Sequence, residues 1–395
     1  MVRTLKILLF HPWIKSKGGA ERLIYEYIKR SKHKFMVLSW IYIKEKSLSF
    51  DKIVSIFPKS FERISRAFLF RSLIFIPGSF LTISNDFDLI LISTSGIAEL
   101  TLLRNTFDCP VVAYVHTPLR AAYFWDIKWN LKYRFKNWFV KEFYKFALHI
   151  YNKLEKKAWK KIDFAIFNSY LSRKRALDKG LIEEERTKVI YPGVDLENLY
   201  YDEPEDYFLY IARFGMAKRQ NILIKAFARF AKKYKDYKLI LAGGLENKKY
   251  FLHLLKLVKK YKLQNKVRLF YNLPYQKIIE LYAKSLAFVH VPFMEDFGIA
   301  PLEAAAAGKY IINVYPAGNY EILKDFPGVY WIKERFYEEK MVEEVYKALE
   351  YFVKNQDELI EKGKENRKKI KELDLSWDRF AKEMDKTLEE VANNS

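Results

Sequence analysis

Residues 289–314 read VHVPFMEDFGIAPLEAAAAGKYIINV, and this stretch decides the fold. The apolar start predicts a buried strand. The alanine-rich middle predicts a helix, because alanine has the highest helix propensity and Pro301 is tolerated in a first turn. Gly308 predicts the end of that helix, and residues 309–314 predict the next strand. A strand, a helix and a second strand in this order are typical of a parallel α/β sheet.

Glu295 and Glu303 lie at the start of this helix, with seven residues between them. A helix N-terminus offers free backbone N–H groups and partial positive charge to phosphate. Carboxylates beside it can accept hydrogen bonds from sugar hydroxyls. The pair therefore favours a nucleotide sugar as ligand, although two solvated surface glutamates would leave the same pattern.

Composition narrows the class of protein. The chain has 395 residues, half of them hydrophobic, and a formal net charge of +22, which favours anionic partners such as nucleotides, nucleic acid or an anionic membrane surface. The single Cys109 excludes an intramolecular disulfide, and the six histidines form no zinc motif. The most apolar run, 68–83, is interrupted by charge and proline. We expect a cytoplasmic protein, soluble or peripheral on the inner face of the membrane.

Short apolar runs alternate with amphipathic stretches along the whole chain, which predicts two α/β domains with parallel sheets facing a central cleft. The predicted domains are 1–195, 206–374 and a final helix, 375–395, that crosses back to the first domain. Predicted strands cover 6–10, 35–39, 88–93, 111–115, 163–167 and 188–191 in the first half, then 207–212, 238–242, 267–270, 287–291, 310–314 and 329–332.

Several loops that follow predicted strands carry candidate ligand-binding residues. Gly18 and Gly19 open a helix and free backbone N–H groups for phosphate, unless they form a simple turn. His116 ends a strand, where it can contact a sugar hydroxyl or simply pack. Arg213 and Lys218 lie on one loop before a helix, where positive charge opposes the helix dipole and calls for an anion. Gly243 predicts a tight turn, and a helix cap is expected at Asn319.

Residues 123–161 interleave aromatic and cationic side chains at helical spacing. Such a segment suits a membrane interface, and the same pattern describes a nucleic-acid surface. An aromatic core face with a solvated lysine face is the third interpretation.

Taken together, these motifs resemble retaining glycosyltransferases of family 4, which have the GT-B fold of two Rossmann-like domains. The resemblance covers nearly the whole chain. It rests on KGGAER (17–22), YVHTPLR (114–120), NSYLSRKRA (168–176), VIYPGVD (189–195), ARFGMAKRQNILIKAF (212–227) and EDFGIAPLEAAAAGKYII (295–312). The HTP motif followed by Phe124, Trp125 and Asp126 is most similar to mannosyltransferase-type members that act on lipid-linked glycans. Lys309 stands where the family often has proline.

The resemblance implies a role for each matching residue. His116 and Glu295 would be catalytic. The donor would be bound by Gly18, Gly19, Arg213, Lys218, Gly243, Phe297, Gly298, Ile299 and Glu303. The acceptor would be bound by Arg120, Tyr123, Trp125 and Asp126.

The implied reaction moves a hexose, with mannose expected, from a nucleotide sugar such as GDP-mannose to a lipid-linked or oligosaccharide acceptor with retention of configuration. The resemblance implies neither a metal nor another cofactor, and no nucleic-acid partner. Two alternatives stay open at this point: a basic nucleic-acid-binding protein, and a GT-B enzyme that is not a transferase, such as an epimerase.

Overall fold

The computed structural model describes residues 4–14, 18–44, 47–58 and 86–394. Residues 15–17 of the first glycine loop and the apolar run 68–83 lie outside these ranges. The chain divides into two compact units, one formed by residues 1–192 with 377–395 and the other by residues 193–376. The first unit therefore ends three residues before the predicted boundary at 195, and the final helix begins at Trp377.

The first unit contains a parallel sheet whose seven described strands are ordered β5-β3-β1-β6-β7-β8-β9. The strands, numbered over the described residues, are β1 Lys6–Phe10, β3 Lys34–Ser39, β5 Ile53–Ser55, β6 Leu89–Thr94, β7 Val111–Val115, β8 Phe164–Phe167 and β9 Thr187–Val189. Two short strands, β2 Trp13–Ile14 and β4 Ile41–Tyr42, pair separately.

The described helices of this unit lie between its strands and at the chain end. They are α1 Gly19–Arg30, α2 Phe124–Trp129, α3 Trp138–Trp159, α4 Tyr170–Asp178 and α12 Trp377–Asn393, with 3-10 turns at Ala98–Leu103, Arg120–Ala122 and Glu184–Arg186 and a π turn at Asn130–Arg134. The last helix packs against α1, where the rings of Tyr27 and Phe380 lie 6.1 Å apart.

The second unit contains a parallel sheet of six strands, ordered β12-β11-β10-β13-β14-β15. Its strands are β10 Tyr207–Ile211, β11 Lys238–Gly243, β12 Val267–Tyr271, β13 Ala287–His290, β14 Tyr310–Tyr315 and β15 Val329–Lys333. Its helices are α5 Gln220–Lys233, α6 Lys248–Lys260, α7 Tyr275–Lys284, α8 Ile299–Ala306, α9 Tyr320–Leu323, α10 Glu338–Lys354 and α11 Gln356–Glu372, with a 3-10 turn at Met216–Lys218.

Both sheets have a Rossmann-like strand order, in which the chain reverses direction across the sheet between its first and fourth strands. In the first unit this switch point lies between β1 and β6, and in the second it lies between β10 and β13. Ligands of such sheets bind beyond the carboxyl ends of the strands at this point. The predicted α/β class with two Rossmann-like domains is confirmed, whereas the central cleft stays a prediction.

The predicted strands are present with small shifts of their ends. The largest difference is the strand predicted at 188–191, which ends at Val189, the last residue paired with β8. Among the described residues, none of the helices combines the length and the apolarity that crossing a bilayer requires.

Candidate active site

The loop after β10 carries the predicted phosphate ligands. Arg213 is half exposed, and its guanidinium lies 3.7 Å from Glu246. Lys218 ends a 3-10 turn, and its Nζ lies 2.5 Å from Oε2 of Glu295. Because this carboxylate comes from the loop after β13, the ion pair joins the two loops that flank the switch point of the second sheet. The anion that the loop's positive charge calls for is thus supplied by the protein.

Arg219, which follows Lys218, fixes the shape of this loop. Its backbone is left-handed, with φ of 56°, and its buried guanidinium donates to both carboxylate oxygens of Glu334 at 2.6 and 2.8 Å. The same group lies 4.8 Å from the centre of the Phe293 ring. Burial raises the pKa of Glu334, and the hydrogen bonds from Arg219 oppose that rise. A buried charge pair satisfied in this way holds one loop geometry.

The glutamate loop is hydrogen-bonded to the turn after β14. The Glu295 carbonyl accepts from the Gly318 N–H at 3.0 Å, and the Phe297 carbonyl accepts from the Asn319 N–H at 3.0 Å. Phe297 itself is buried and Ile299 begins α8. The loop therefore reaches the helix start with its backbone already held.

Gly298 is required by the local backbone. Its φ is +81°, and an added Cβ would lie 2.8 Å from Nδ2 of Asn319 and 3.0 Å from Cγ of Glu295. Side chains with a Cβ rarely adopt this conformation, so glycine alone fits here without strain. The residue predicted from the motif is thus one that the fold needs as well.

A chain of buried amides positions the Gly298 carbonyl. Nδ2 of Asn319 donates to that carbonyl at 3.0 Å, and Oδ1 of Asn319 accepts from Nδ2 of Asn313 at 2.9 Å. Oδ1 of Asn313 lies 3.0 Å from Nδ1 of His290 and also accepts from the Val314 N–H. Since this oxygen can only accept, Nδ1 of His290 carries the hydrogen. Burial lowers the pKa of His290 to about 4, which keeps the ring neutral.

Asn319 takes the N-cap position before α9, as predicted, but its side chain makes no capping hydrogen bond to that helix. Both polar atoms of the amide are instead engaged with Asn313 and Gly298. Local sequence favours a cap at this position, and only the fold reveals that the glutamate loop lies within reach of the same amide.

Glu303 lies within α8 and is nearly buried, with 8% of its surface exposed. The hydroxyl of Tyr282 donates to its Oε2 at 3.0 Å. This contact aims the carboxylate, which as an ion is a hydrogen-bond acceptor only. Sequence alone does not identify Tyr282, which lies 21 residues earlier on α7.

Gly243 ends β11, and its glycine is a packing requirement. An added Cβ would lie 2.1 Å from the carbonyl oxygen of Ala212 on the neighbouring strand's loop. This close approach brings the end of β11 beside the loop that carries Arg213. The backbone nitrogen of Arg213 lies 3.2 Å from the same Cβ position.

In the first unit, three polar side chains lie in a row across the switch point. Nδ1 of His11, after β1, lies 3.0 Å from Oγ of Ser93 on β6. The same Oγ lies 2.9 Å from Nε2 of His116, after β7. His11 and Ser93 are buried, whereas His116 is partly exposed. Sequence reasoning identified only His116, although all three residues lie at the carboxyl ends of predicted strands.

Both histidines of this row are held neutral. Burial, together with the neighbouring His11, lowers the pKa of His116 to about 3. Burial also lowers the pKa of His11, while the charge of Glu21 opposes that change. Neutral imidazoles can each donate one hydrogen bond and accept another, which suits recognition of hydroxyl groups.

The glycine pair begins α1. Gly18 is the N-cap residue, with no side-chain cap hydrogen bond, and Gly19 is the first helical residue. An added Cβ on Gly19 would have no atom within 4 Å. Among the described residues, packing therefore does not require glycine at this position, which is consistent with close approach of a ligand to the helix N-terminus.

The predicted acceptor residues form a partly closed group. Nε and Nη2 of Arg120 donate to Oδ1 of the buried Asp126 at 3.1 and 2.7 Å. The Arg175 guanidinium lies 5.1 Å from the centre of the Tyr123 ring. The exposed Trp125 ring lies 5.5 Å from Nζ of Lys128. Arg120 and Asp126 therefore stabilise each other, and Trp125 is the exposed member of the group.

The part of the chain that the structure describes holds no cluster of three or more His, Cys, Asp or Glu side chains that could bind a metal ion.

Two sequence families match adjoining parts of the chain. The family of glycosyl transferases group 1 matches residues 197–371, and glycosyltransferase family 4 matches residues 17–198. Among solved structures, Alr3699/HepE of Anabaena, in complex with UDP and glucose, has a TM-score of 0.70 at 17% identity and covers 98% of this chain and 100% of its own. At that identity the likeness concerns the fold.

Curated relatives match over shorter spans. The O-antigen chain mannosyltransferase RfbU of Salmonella typhimurium is 29% identical over 133 residues, covering 33% of this chain and 36% of the relative. The GDP-Man:Man(3)GlcNAc(2)-PP-Dol alpha-1,2-mannosyltransferase of Xenopus tropicalis is 24% identical over 354 residues, covering 78% and 72%. The chain spans about a third of the length of the first of these relatives.

The fold and the switch-point loops define a GT-B protein with two Rossmann-like domains. The chain belongs to the group 1 glycosyl transferases, which residues 197–371 match, and its N-terminal part, residues 17–198, matches glycosyltransferase family 4. The predicted family is confirmed. The roles assigned to individual residues stay predictions.

Proposed function

We propose that this protein transfers a hexose from a nucleotide sugar to a lipid-linked or oligosaccharide acceptor, with retention of anomeric configuration. The ion pair between Lys218 and Glu295 carries the proposal, because a cation and a carboxylate, the groups that suit the diphosphate and the sugar of a donor, lie together at the switch point of the second sheet. Retention and the acceptor class follow from the family resemblance.

In the proposal, the donor diphosphate binds Lys218, Arg213 and the backbone N–H groups at the start of α8. Lys218 exchanges its contact with Glu295 for phosphate, and Glu295 then accepts from hydroxyls of the transferred sugar. Glu303, aimed by Tyr282, accepts from the nucleotide ribose. Charge on the departing diphosphate is stabilised by fixed cations and dipoles, which is the largest contribution in many transferases.

His116 acts as a neutral group in this scheme. Its lowered pKa keeps it uncharged at neutral pH, and its contact with Ser93 orients the ring. A neutral imidazole can hold a sugar hydroxyl or the acceptor without adding positive charge beside the reacting carbon. The acceptor proton passes to the leaving phosphate on the same face of the sugar, as the resemblance implies.

We propose that neither a metal nor another cofactor takes part. Lys218, Arg213 and the helix N-terminus supply positive charge where a divalent cation would otherwise act. Chelator-treated protein should therefore transfer sugar at the rate of untreated protein.

Mannose is the proposed sugar because the relatives' printed names include mannosyltransferases, one of them with GDP-Man as donor. The Anabaena neighbour was solved with UDP and glucose, so the test must compare bases as well as sugars. We expect GDP-mannose to give the largest rise in Tm within a panel containing UDP-glucose and UDP-GlcNAc, since a ligand that binds the native state stabilises it. A panel in which every nucleotide sugar leaves Tm unchanged would contradict the proposal.

A lipid-linked acceptor calls for a protein that works at a membrane. We propose that the protein is cytoplasmic and associates peripherally with the inner face of a membrane. The excess of cationic residues, 70 against 48 acidic ones, supports attraction to anionic lipid.

A further inference from the structure

Helix α3 presents an apolar face to solvent. Phe139, Phe143, Phe146 and Ile150 are 74, 51, 61 and 43% exposed. They are spaced by four, three and four residues, so at 3.6 residues per turn they lie within about 60° of one another. Trp138, 64% exposed, adjoins the first of them. We call the four residues of the row the α3 stripe.

The opposite side of the same helix anchors it to the first unit. Tyr144, Leu148, Glu155 and Trp159 are buried there. The Tyr144 hydroxyl donates to the Ala121 carbonyl at 2.5 Å, just after the HTP motif. The stripe is therefore displayed by a firmly packed helix, and core packing does not account for its four large side chains.

Cations surround and extend the stripe. Lys153 and Lys157 are exposed and continue the same row toward the end of the helix. Residues 123–161 contain eleven Lys or Arg and three Asp or Glu side chains. Glu142, beside the stripe, is neutralised by Lys145 at 2.8 Å. The surface is thus apolar along its centre and positive at its margins.

We propose that the α3 stripe docks on the surface of an anionic lipid bilayer, with its aromatic side chains among the acyl chains and the lysines at the headgroups. An apolar row bordered by lysines is the pattern of interfacial helices. A second copy of the chain fits poorly, because pairing two stripes brings their lysines together. Nucleic acid fits poorly as well, because its phosphates would face phenylalanines at the centre of the surface.

The inference rests on the proposed function for its purpose, since docking brings the acceptor residues to a lipid-linked substrate. The HTP motif lies two residues before Arg120, and α3 holds that region through the hydrogen bond from Tyr144 to the Ala121 carbonyl. A docked α3 therefore keeps the acceptor residues of the first unit close to the headgroups.

The test compares full-length variants in sedimentation with phosphatidylcholine vesicles, with and without phosphatidylglycerol. Phe143→Ser/Phe146→Ser should weaken binding to the anionic vesicles at least about tenfold, because two aromatic groups no longer enter the bilayer. The matched control is Leu252→Ser/Leu255→Ser on α6, a pair of exposed residues with the same spacing. This control should bind like the wild type.

A second comparison tests the charge. Lys153→Gln/Lys157→Gln should weaken binding to anionic vesicles and leave the weak binding to pure phosphatidylcholine unchanged. Lys256→Gln/Lys260→Gln on α6, again an exposed pair with the same spacing, is its control. Equal loss in both double variants would mean that net charge, rather than the α3 stripe, directs binding.

Three further results would overturn the proposal: a wild-type protein that ignores anionic vesicles, stripe variants that bind as tightly as the control, or a vesicle-independent dimer that Phe143→Ser/Phe146→Ser dissociates. The rise in Tm with nucleotide sugar is measured for each variant without vesicles. If the vesicle results contradict the role of the α3 stripe while nucleotide sugar still raises Tm, the proposed function is unaffected. If nucleotide sugar does not raise the Tm of the wild type, only the proposed function is contradicted.

Discussion

Gly298 shows how one residue serves both fold and site. Its φ of +81° and the Asn319 amide at 2.8 Å from an added Cβ leave no room for a side chain. The carbonyl of the same residue is held by Asn319, which Asn313 and His290 hold in turn. Any shift at Gly298 therefore moves the start of α8, where the donor phosphate is proposed to bind.

Gly298→Ala should lower both stability and transfer. Positive φ costs about 1–2 kcal/mol for a residue with a Cβ, and the displaced Asn319 adds to it. We expect transfer to fall about 100-fold, because misplaced binding groups lose alignment. Gly180→Ala is the control, since Gly180 also has positive φ (+61°) but no atom within 4 Å of an added Cβ. Thermal unfolding and transfer rates that match for the two variants would contradict this account.

Glu99 is a buried carboxyl group that should titrate near neutral pH. Its Oε1 lies 3.0 Å from the Tyr151 hydroxyl, which also contacts Glu155 at 3.0 Å and the Gly96 carbonyl. One hydroxyl hydrogen cannot serve three acceptors, so a protonated Glu99 completes the network. Burial raises the pKa of Glu99 to about 7, and the charge of Glu155 adds to the rise. Lys179 pairs with Glu155 on its other side.

The free energy of unfolding of Glu99→Gln should increase relative to that of the wild type as pH rises. Between the ordinary pKa of 4.5 and about 7, native Glu99 keeps a proton that the unfolded chain has lost, so its contribution to stability is lost over that window. Glutamine does not titrate, so the difference in unfolding free energy should change by at most about 3 kcal/mol between pH 4.5 and pH 7. Urea unfolding measures it, with the exposed Glu142→Gln on α3 as control. A difference independent of pH would contradict a raised pKa for Glu99 in the native protein.

At the scale of elements, the Asp385 carboxylate of α12 accepts hydrogen bonds from the last turn of α1 and from the residues that follow it. Oδ1 of Asp385 accepts from the Tyr27 hydroxyl at 2.8 Å and from Oγ of Ser31 at 2.6 Å. Oδ2 accepts from the Lys32 N–H at 3.1 Å. These contacts fix the last helix on the first unit although more than 350 residues separate the partners.

Asp385→Ala should destabilise the protein by about 2–3 kcal/mol, because a buried tyrosine hydroxyl and a backbone N–H lose a charged acceptor. Glu390→Ala, on the exposed side of the same helix, is the control. Its carboxylate lies 3.9 Å from Lys386 and is 51% exposed, and such surface pairs contribute little. Chemical unfolding of both variants decides the point, and equal losses would contradict the proposed role of Asp385.

Sequence predicted the elements well and their tertiary contacts poorly. Strands such as β7 and β14 have an apolar pattern that is local and therefore readable. The hydrogen bonds from Arg219 to Glu334 join residues 115 positions apart. The hydrogen bond from Tyr282 to Glu303 joins residues 21 positions apart. No local pattern encodes such pairings. For the same reason the sequence indicates His116 but neither Ser93 nor His11, the other two members of the row.

At the scale of the whole molecule, each unit brings a different part of the proposed chemistry. The second unit carries the cations, carboxylates and helix N-terminus that suit a nucleotide sugar. The first unit carries two neutral histidines, the glycine pair of α1 and the α3 stripe. The two family matches, one at residues 17–198 and the other at 197–371, together cover parts of both units.

The transfer rate of Lys218→Ala, measured with the donor that raises Tm most, tests the central claim most directly. The control is Lys225→Ala, which removes a lysine paired with Glu338 on the same unit but away from the switch point. We predict a fall of about 100- to 1,000-fold for Lys218→Ala, because a fixed cation at the departing diphosphate is lost. Lys225→Ala should stay within about threefold of the wild type. A folded Lys218→Ala variant that transfers sugar as fast as Lys225→Ala would contradict the account.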